Sequence, residues 1–129
     1  MKGYVRAVLV VLAAYQLVLG LWLLFFPFSF YDDVPTVDWT PPYSEHLFRD
    51  FGGATLGLAV VLIAAAIRMD RVLSAVALLA YLVGAIPHLF FHLEHLDGDS
   101  AWLSFGLAAV LTLSVLAPLS ALLALRRVP

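Results

Sequence analysis

The chain has 129 residues, of which 64% are hydrophobic and only 12% charged, with a formal net charge of -2. A soluble domain is about half apolar and about a quarter charged, and a folded sphere of this size cannot hide so much apolar surface. Composition therefore excludes a soluble globular enzyme and a disordered chain, and leaves a small polytopic membrane protein.

A membrane-crossing helix needs roughly 20 mostly apolar residues. Four segments qualify. The first is 7–26, in which Gln16 is the strongly polar residue. The second is 44–67, whose first turns carry Glu45, His46, Arg49 and Asp50. The third is 72–93, with Pro87, His88 and His92, and the fourth is 101–125. The expected fold is all-α: a four-helix transmembrane bundle running up-down-up-down, one integral membrane domain over 1–129. Lys2 and Arg6 look like the start of a signal peptide. However, the apolar stretch runs on to Phe26 without an A-x-A site, so it reads as a retained first span.

Between the first two spans, 27–43 is a long outer loop. Its prolines and acids predict no helix. A loop of this length points to function more than to passive linkage, and Ser44 is placed to cap the second span. Aromatic residues crowd this end of the chain's spans. They read either as an interfacial belt or as an apolar pocket or lid built partly from the loop.

Lys2, Arg6, Arg68, Arg71, Arg126 and Arg127 fall on one side of the four spans. The positive-inside rule then makes both termini cytoplasmic in a multi-pass protein of the cell membrane. The other side collects Asp32, Asp33, Asp38, Glu45, Asp50, Glu94, Asp97, Asp99 and all four histidines. The lipid bilayer is the expected partner, and the net charge argues against nucleic acid. The chain has no cysteine, which removes disulfides and thiolate metal sites.

Ionisable groups inside a membrane cost roughly 2.5–3.5 kcal/mol each at a helix centre, so their placement needs a reason. At about 100° per residue, His46, Asp50, Gly53 and Gly57 share one helical stripe. Gly53–Gly57 is a G-x-x-x-G pattern that permits close helix approach, which would place His46 and Asp50 on a packing seam facing the interior. Glu45 and Arg49 make a second i,i+4 pair. On the third span, Tyr81, His88, His92 and His95 share a stripe, and Pro87 frees the Val83 carbonyl. The short turn at 68–71 makes these two spans neighbours, so the stripes are expected to meet at one depth.

The expected site, near the extracytoplasmic face, is thus His46, Asp50, His88, His92 and His95, as metal ligands or as the lining of a small-ligand site, with Glu45, Arg49, Tyr81 and Glu94 around them. Imidazole and carboxylate suit Zn, Fe or Cu, and imidazole also serves haem. A competing reading makes the chain a non-catalytic accessory subunit. The same residues would then lock the second and third helices, and the outer face would dock a membrane-protein partner or a second copy. A proton-coupled carrier is a third reading, for which Gln16 offers little of a continuous path. Whether the chain is an enzyme stays open: the signatures H-E-x-x-H, G-x-S-x-G and the P-loop are absent.

The strings EHLFRDFGGATLGLAV (45–60) and GAIPHLFFHLEHLDG (84–98) resemble a group of small four-helix membrane proteins of actinobacterial type. That group is loosely similar to the DoxX-like membrane families. The resemblance runs from the FYDD segment (30–33) to the LDG segment (96–98). It implies four spans and marks the two histidine segments, but implies no substrate or cofactor.

Overall fold

The computed structural model describes residues 1–39, 42–96 and 100–126. Asp97, Asp99 and Arg127, used above for charge placement, lie outside them, as does most of the LDG segment. The described residues form five α-helices: α1 (Lys2–Phe25), α2 (Pro27–Asp33), α3 (Glu45–Arg68), α4 (Arg71–Glu94) and α5 (Ala101–Leu125). A 3-10 turn at Val37–Trp39 follows α2. The four long helices, of 24 or 25 residues, are long and apolar enough to cross a membrane. At 1.5 Å per residue each reaches about 36 Å, against a hydrocarbon core of about 30 Å.

α1 begins at Lys2, ahead of the apolar stretch, because Lys and Arg are good helix formers whose heads can reach water from a helix end. α4 starts on a cap: the Asp70 carboxylate accepts from the Leu73 N–H at 2.8 Å. Ser100 caps α5 through Leu103. Ser44 takes the cap position of α3, but its side chain makes no cap bond. α3 ends at Met69 in the left-handed conformation, φ 52°, where its N–H donates to the Ala65 carbonyl. A residue with a Cβ pays roughly 1–2 kcal/mol there, and the short link to α4 follows from it.

The outer loop departs from expectation, since its first part is helical. Pro27 sits in the first turn of α2, where a missing N–H costs nothing and a fixed φ suits a helix start. Trp22 Nε1–H donates to Ser29 Oγ at 3.2 Å, and Ser29 donates to Asp33 at 2.6 Å. Phe30 meets Trp22 edge-on at 5.5 Å. Phe48 of α3 packs against Phe30, Tyr31 and Tyr43 at 5.6–6.1 Å between centroids. Some of the aromatics therefore form a packed cap over α1 and α3. Others, such as Phe90, Trp102 and Phe105, are exposed as a lipid belt requires.

The long helices pack chiefly as two pairs, α1 with α3 and α4 with α5, joined by lesser contacts of α3 with α4 and α1 with α5. Two glycines let α1 and α3 close up. A Cβ on Gly52 would lie 2.7 Å from the Leu24 nitrogen, and one on Gly20 would lie 3.0 Å from the Gly52 carbonyl. Nothing lies within 4 Å of a Cβ placed on Gly53 or Gly57. The expected G-x-x-x-G seam is therefore corrected by one residue: the packed stripe of α3 is Gly52, Thr55, Ala59, Leu62 and Ala66.

Among the described residues, the common core joins all four long helices at one end. It is built from Val5, Leu9 and Leu12, Leu62 and Ala65, Ala77 and Leu78, Ala121 and Leu125. This is the basic end, which holds the start of α1 and the α3–α4 turn. Toward the opposite, histidine end, α1 stays buried as far as Leu23, and α3 from Gly52. On α4, by contrast, the buried residues stop at Leu82, and on α5 they begin at Leu111. The histidine end of the α4–α5 pair is thus uncovered, and Val83 and Trp102 are 75% and 78% exposed.

Candidate functional site

The packed face of α4 is Ser74, Ala77, Leu78, Tyr81 and Leu82. Continuing it by steps of three and four residues leads through Ala85 to His88, His92 and His95. The histidines therefore prolong the core-facing stripe into the uncovered half. The rings of His88 and His92 stand edge to face, with centroids 4.5 Å apart. Pro87, immediately before His88, cannot donate to the Val83 carbonyl, an interruption tolerated in a spanning helix where another polar group can satisfy that carbonyl.

His95 ends the helix. Its ring stacks on Phe91 at 4.3 Å, and Nδ1 lies 2.7 Å from the Phe91 carbonyl oxygen. A carbonyl only accepts, so Nδ1 carries the proton in this bond. In a neutral imidazole that leaves the lone pair on Nε2, the orientation by which backbone carbonyls prepare metal-binding histidines. His92 also meets Phe91, at 5.5 Å.

The α3 residues lie elsewhere. His46 Nε2 pairs with Asp50 at 3.3 Å, and the two side chains are 89% and 65% exposed. Arg49 Nε donates to Glu45 at 2.8 Å, and the Arg49 guanidinium also donates to the Leu24 carbonyl of α1. His46 and Asp50 share the open face with Gly53 and Gly57, roughly opposite the face that packs on α1. The structure thus makes two pairs on two helices, and the expected meeting of stripes does not occur. Among the described residues, no three His, Asp or Glu side chains are gathered as a metal would need. The reason is the one-residue shift of the glycine seam, which turns α3 toward α1 and carries His46 and Asp50 away from the interior. α3 and α4 are in contact, and at the basic end both contribute to the common apolar core, which includes Leu62 of α3 and Leu78 of α4. The reading in which the cluster locks these two helices therefore has no contact behind it among the described residues.

Tyr81, expected beside the site, is buried in the core one heptad below His88. Glu94 is exposed at the last turn of α4. Gln16 is the strongly polar residue of the first apolar segment. It is buried at mid-span of α1, 9% exposed, on the same side as Leu12 and Gly20. Its lone polar character in an apolar run was the available signal.

Among the described residues, five α-helices, four of them long and apolar enough to span a bilayer, make up a helical protein with the character of a membrane protein. No protein-family model, curated protein or solved structure matches the chain.

Proposed function

We propose that this is a small multi-pass protein of the cell membrane, up-down-up-down with both termini cytoplasmic. Its extracytoplasmic half binds a transition metal or a metal-bearing group such as haem through His88 and His92. The observation that carries the reading is the pair itself: two imidazoles one turn apart, with rings at 4.5 Å, on the continuation of the core-facing stripe. An i,i+4 pair of histidines presents two nitrogen donors to one side of a helix, and imidazole donors suit Zn, Cu or Fe. His95, with Nε2 left free by its bond to Phe91, lies further along the stripe and is not gathered with the pair, so the remaining ligands come from elsewhere. The uncovered ends of α4 and α5 leave room for the group and its remaining ligands. His46 and Asp50 take no part in this site.

The test is titration of the detergent-purified chain with Zn, Cu, Fe and haemin. Binding near one equivalent is expected, weakened at least about tenfold in His88→Ala and His92→Ala. Binding that is absent, or equal in both variants, removes the proposal.

A second reading has its own observation. The open face of α3, with His46, Asp50, Gly53 and Gly57 uncovered, suits an accessory subunit that docks a membrane partner or a second copy. Crosslinking in native membranes from cysteines placed at Gly53 and Gly57 tests it. A discrete crosslinked product is expected, and monomer alone contradicts it.

A further inference from the structure

The basic end holds a separate feature. A cavity of about 220 Å³ lies between the start of α1 and the α3–α4 turn, lined by Lys2, Gly3, Arg6 and Met69. Lys2 and Arg6 are exposed and stand one turn apart on α1, so both long side chains flank one open space with their heads free to reach its mouth. Neither is paired: the ion pairs among the described residues, His46–Asp50 and Arg49–Glu45, are both on α3 at the other end. The acid nearest in sequence to the cavity wall, Asp70, is engaged in capping α4.

The walls themselves are apolar, formed by Met69, the Gly3 backbone and the stems of Lys2 and Arg6, so the charge belongs to the mouth. Met69 is held in the left-handed conformation and packs against the core, so it closes one side with an apolar surface. Gly3 leaves the other side open, since a Cβ there would meet nothing within 4 Å. With about 30 Å³ per water-sized group, the apolar space holds the first ester and glycerol carbons of a lipid whose phosphate stands at the mouth, within reach of the two cations. Lys2 and Arg6 lie in the first turns of a helix long and apolar enough to span a bilayer, the end at which lipid headgroups meet such a helix.

We infer that the mouth of this cavity binds a phosphate group, and that an anionic phospholipid headgroup is its source. Arg6 offers paired N–H donors to phosphate oxygens and Lys2 adds a point charge. Met69 and the open backbone at Gly3 meet the glycerol carbons. Basic pockets between spanning helices hold anionic headgroups in this manner. The site is independent of the histidines and of which side of the membrane the basic end faces.

The test is native mass spectrometry of the full chain released from nanodiscs of mixed phosphatidylglycerol and phosphatidylcholine, with a parallel arm in phosphatidylcholine alone plus inorganic phosphate. One phosphatidylglycerol retained per chain, with phosphatidylcholine lost, is the expected result. Lys2→Gln and Arg6→Gln should each lower retention about tenfold. Gly3→Leu fills the cavity without changing any charge and should lower it comparably. Arg68→Gln, outside the lining, should change it less than about twofold. Inorganic phosphate bound in the second arm, without retained phosphatidylglycerol, would keep the phosphate site and assign free phosphate as its source. Equal retention of both lipids with no phosphate bound overturns the inference. So does wild-type retention by Gly3→Leu in protein whose circular dichroism is unchanged, because diffuse surface charge would then suffice.

Discussion

Gly20 and Gly52 meet backbone against backbone, with the carbonyl oxygen of each 3.0 Å from where a Cβ on the other would stand. Between lipid-facing helices there is no hydrophobic force to draw surfaces together, so close approach of this kind supplies the attraction. Gly52→Ala is expected to destabilise the α1–α3 pair by about 1–3 kcal/mol, because the new methyl runs into the Leu24 backbone rather than a movable side chain. Gly53→Ala meets open space and should be neutral, or stabilising by up to about 1 kcal/mol through helix propensity. Thermal unfolding in detergent of the two neighbouring variants checks the register, and the reverse order would restore the Gly53–Gly57 seam.

Much of the fold is legible in composition. The four apolar runs match α1, α3, α4 and α5 to within a few residues at most ends, because a span must be long, apolar and helical to satisfy its backbone in lipid. Rotation about each helix axis is less legible. Tandem glycines at 52 and 53 permit two stripes, and the motif alone favoured the wrong one. The deciding signal was the run of small residues at 52, 55, 59 and 66, which needs Gly20 on the partner helix to be recognised. The histidine stripe of α4 was legible, since it prolongs Tyr81. Its separation from His46 and Asp50 was not, because that depends on which helices pair. Pro27 was misread because proline breaks a helix interior but favours its first turn.

The exposed His46–Asp50 pair should contribute little. Removing it by His46→Ala is expected to change stability by less than about 0.5 kcal/mol, the usual worth of an i,i+4 pair in solvent. Metal or haem binding by that variant should equal wild type. Isothermal titration of His46→Ala beside His88→Ala checks this, and a loss in both would bring α3 back into the site.

Ser74 is fully buried near the start of α4, and its hydroxyl finds no partner among the described residues. A buried unsatisfied hydroxyl costs about 1–3 kcal/mol. Ser74→Ala removes it with almost no change in volume, so the variant should be as stable as wild type or more stable by about 1 kcal/mol. A lower melting temperature would show that the hydroxyl is hydrogen-bonded in the membrane.

The orientation can be read by labelling, since the chain has no cysteine of its own. A cysteine at Asp33, exposed at the end of α2, should react with an impermeant maleimide added to intact cells. One at Asp70 should react only after permeabilisation. The opposite pattern would invert the bundle and place the histidine end in the cytoplasm.

The central claim is that His88 and His92 hold a metal or haem in the uncovered half of the bundle. The most direct measurement is elemental analysis, with an absorption spectrum over the Soret region, on protein purified from its own membranes. The doubly substituted His88→Ala/His92→Ala protein is purified in parallel. The account predicts near-stoichiometric metal or a Soret band in wild type, lost in a double variant that keeps its helical content. Wild-type protein free of metal and haem, or a double variant that retains them, would contradict it.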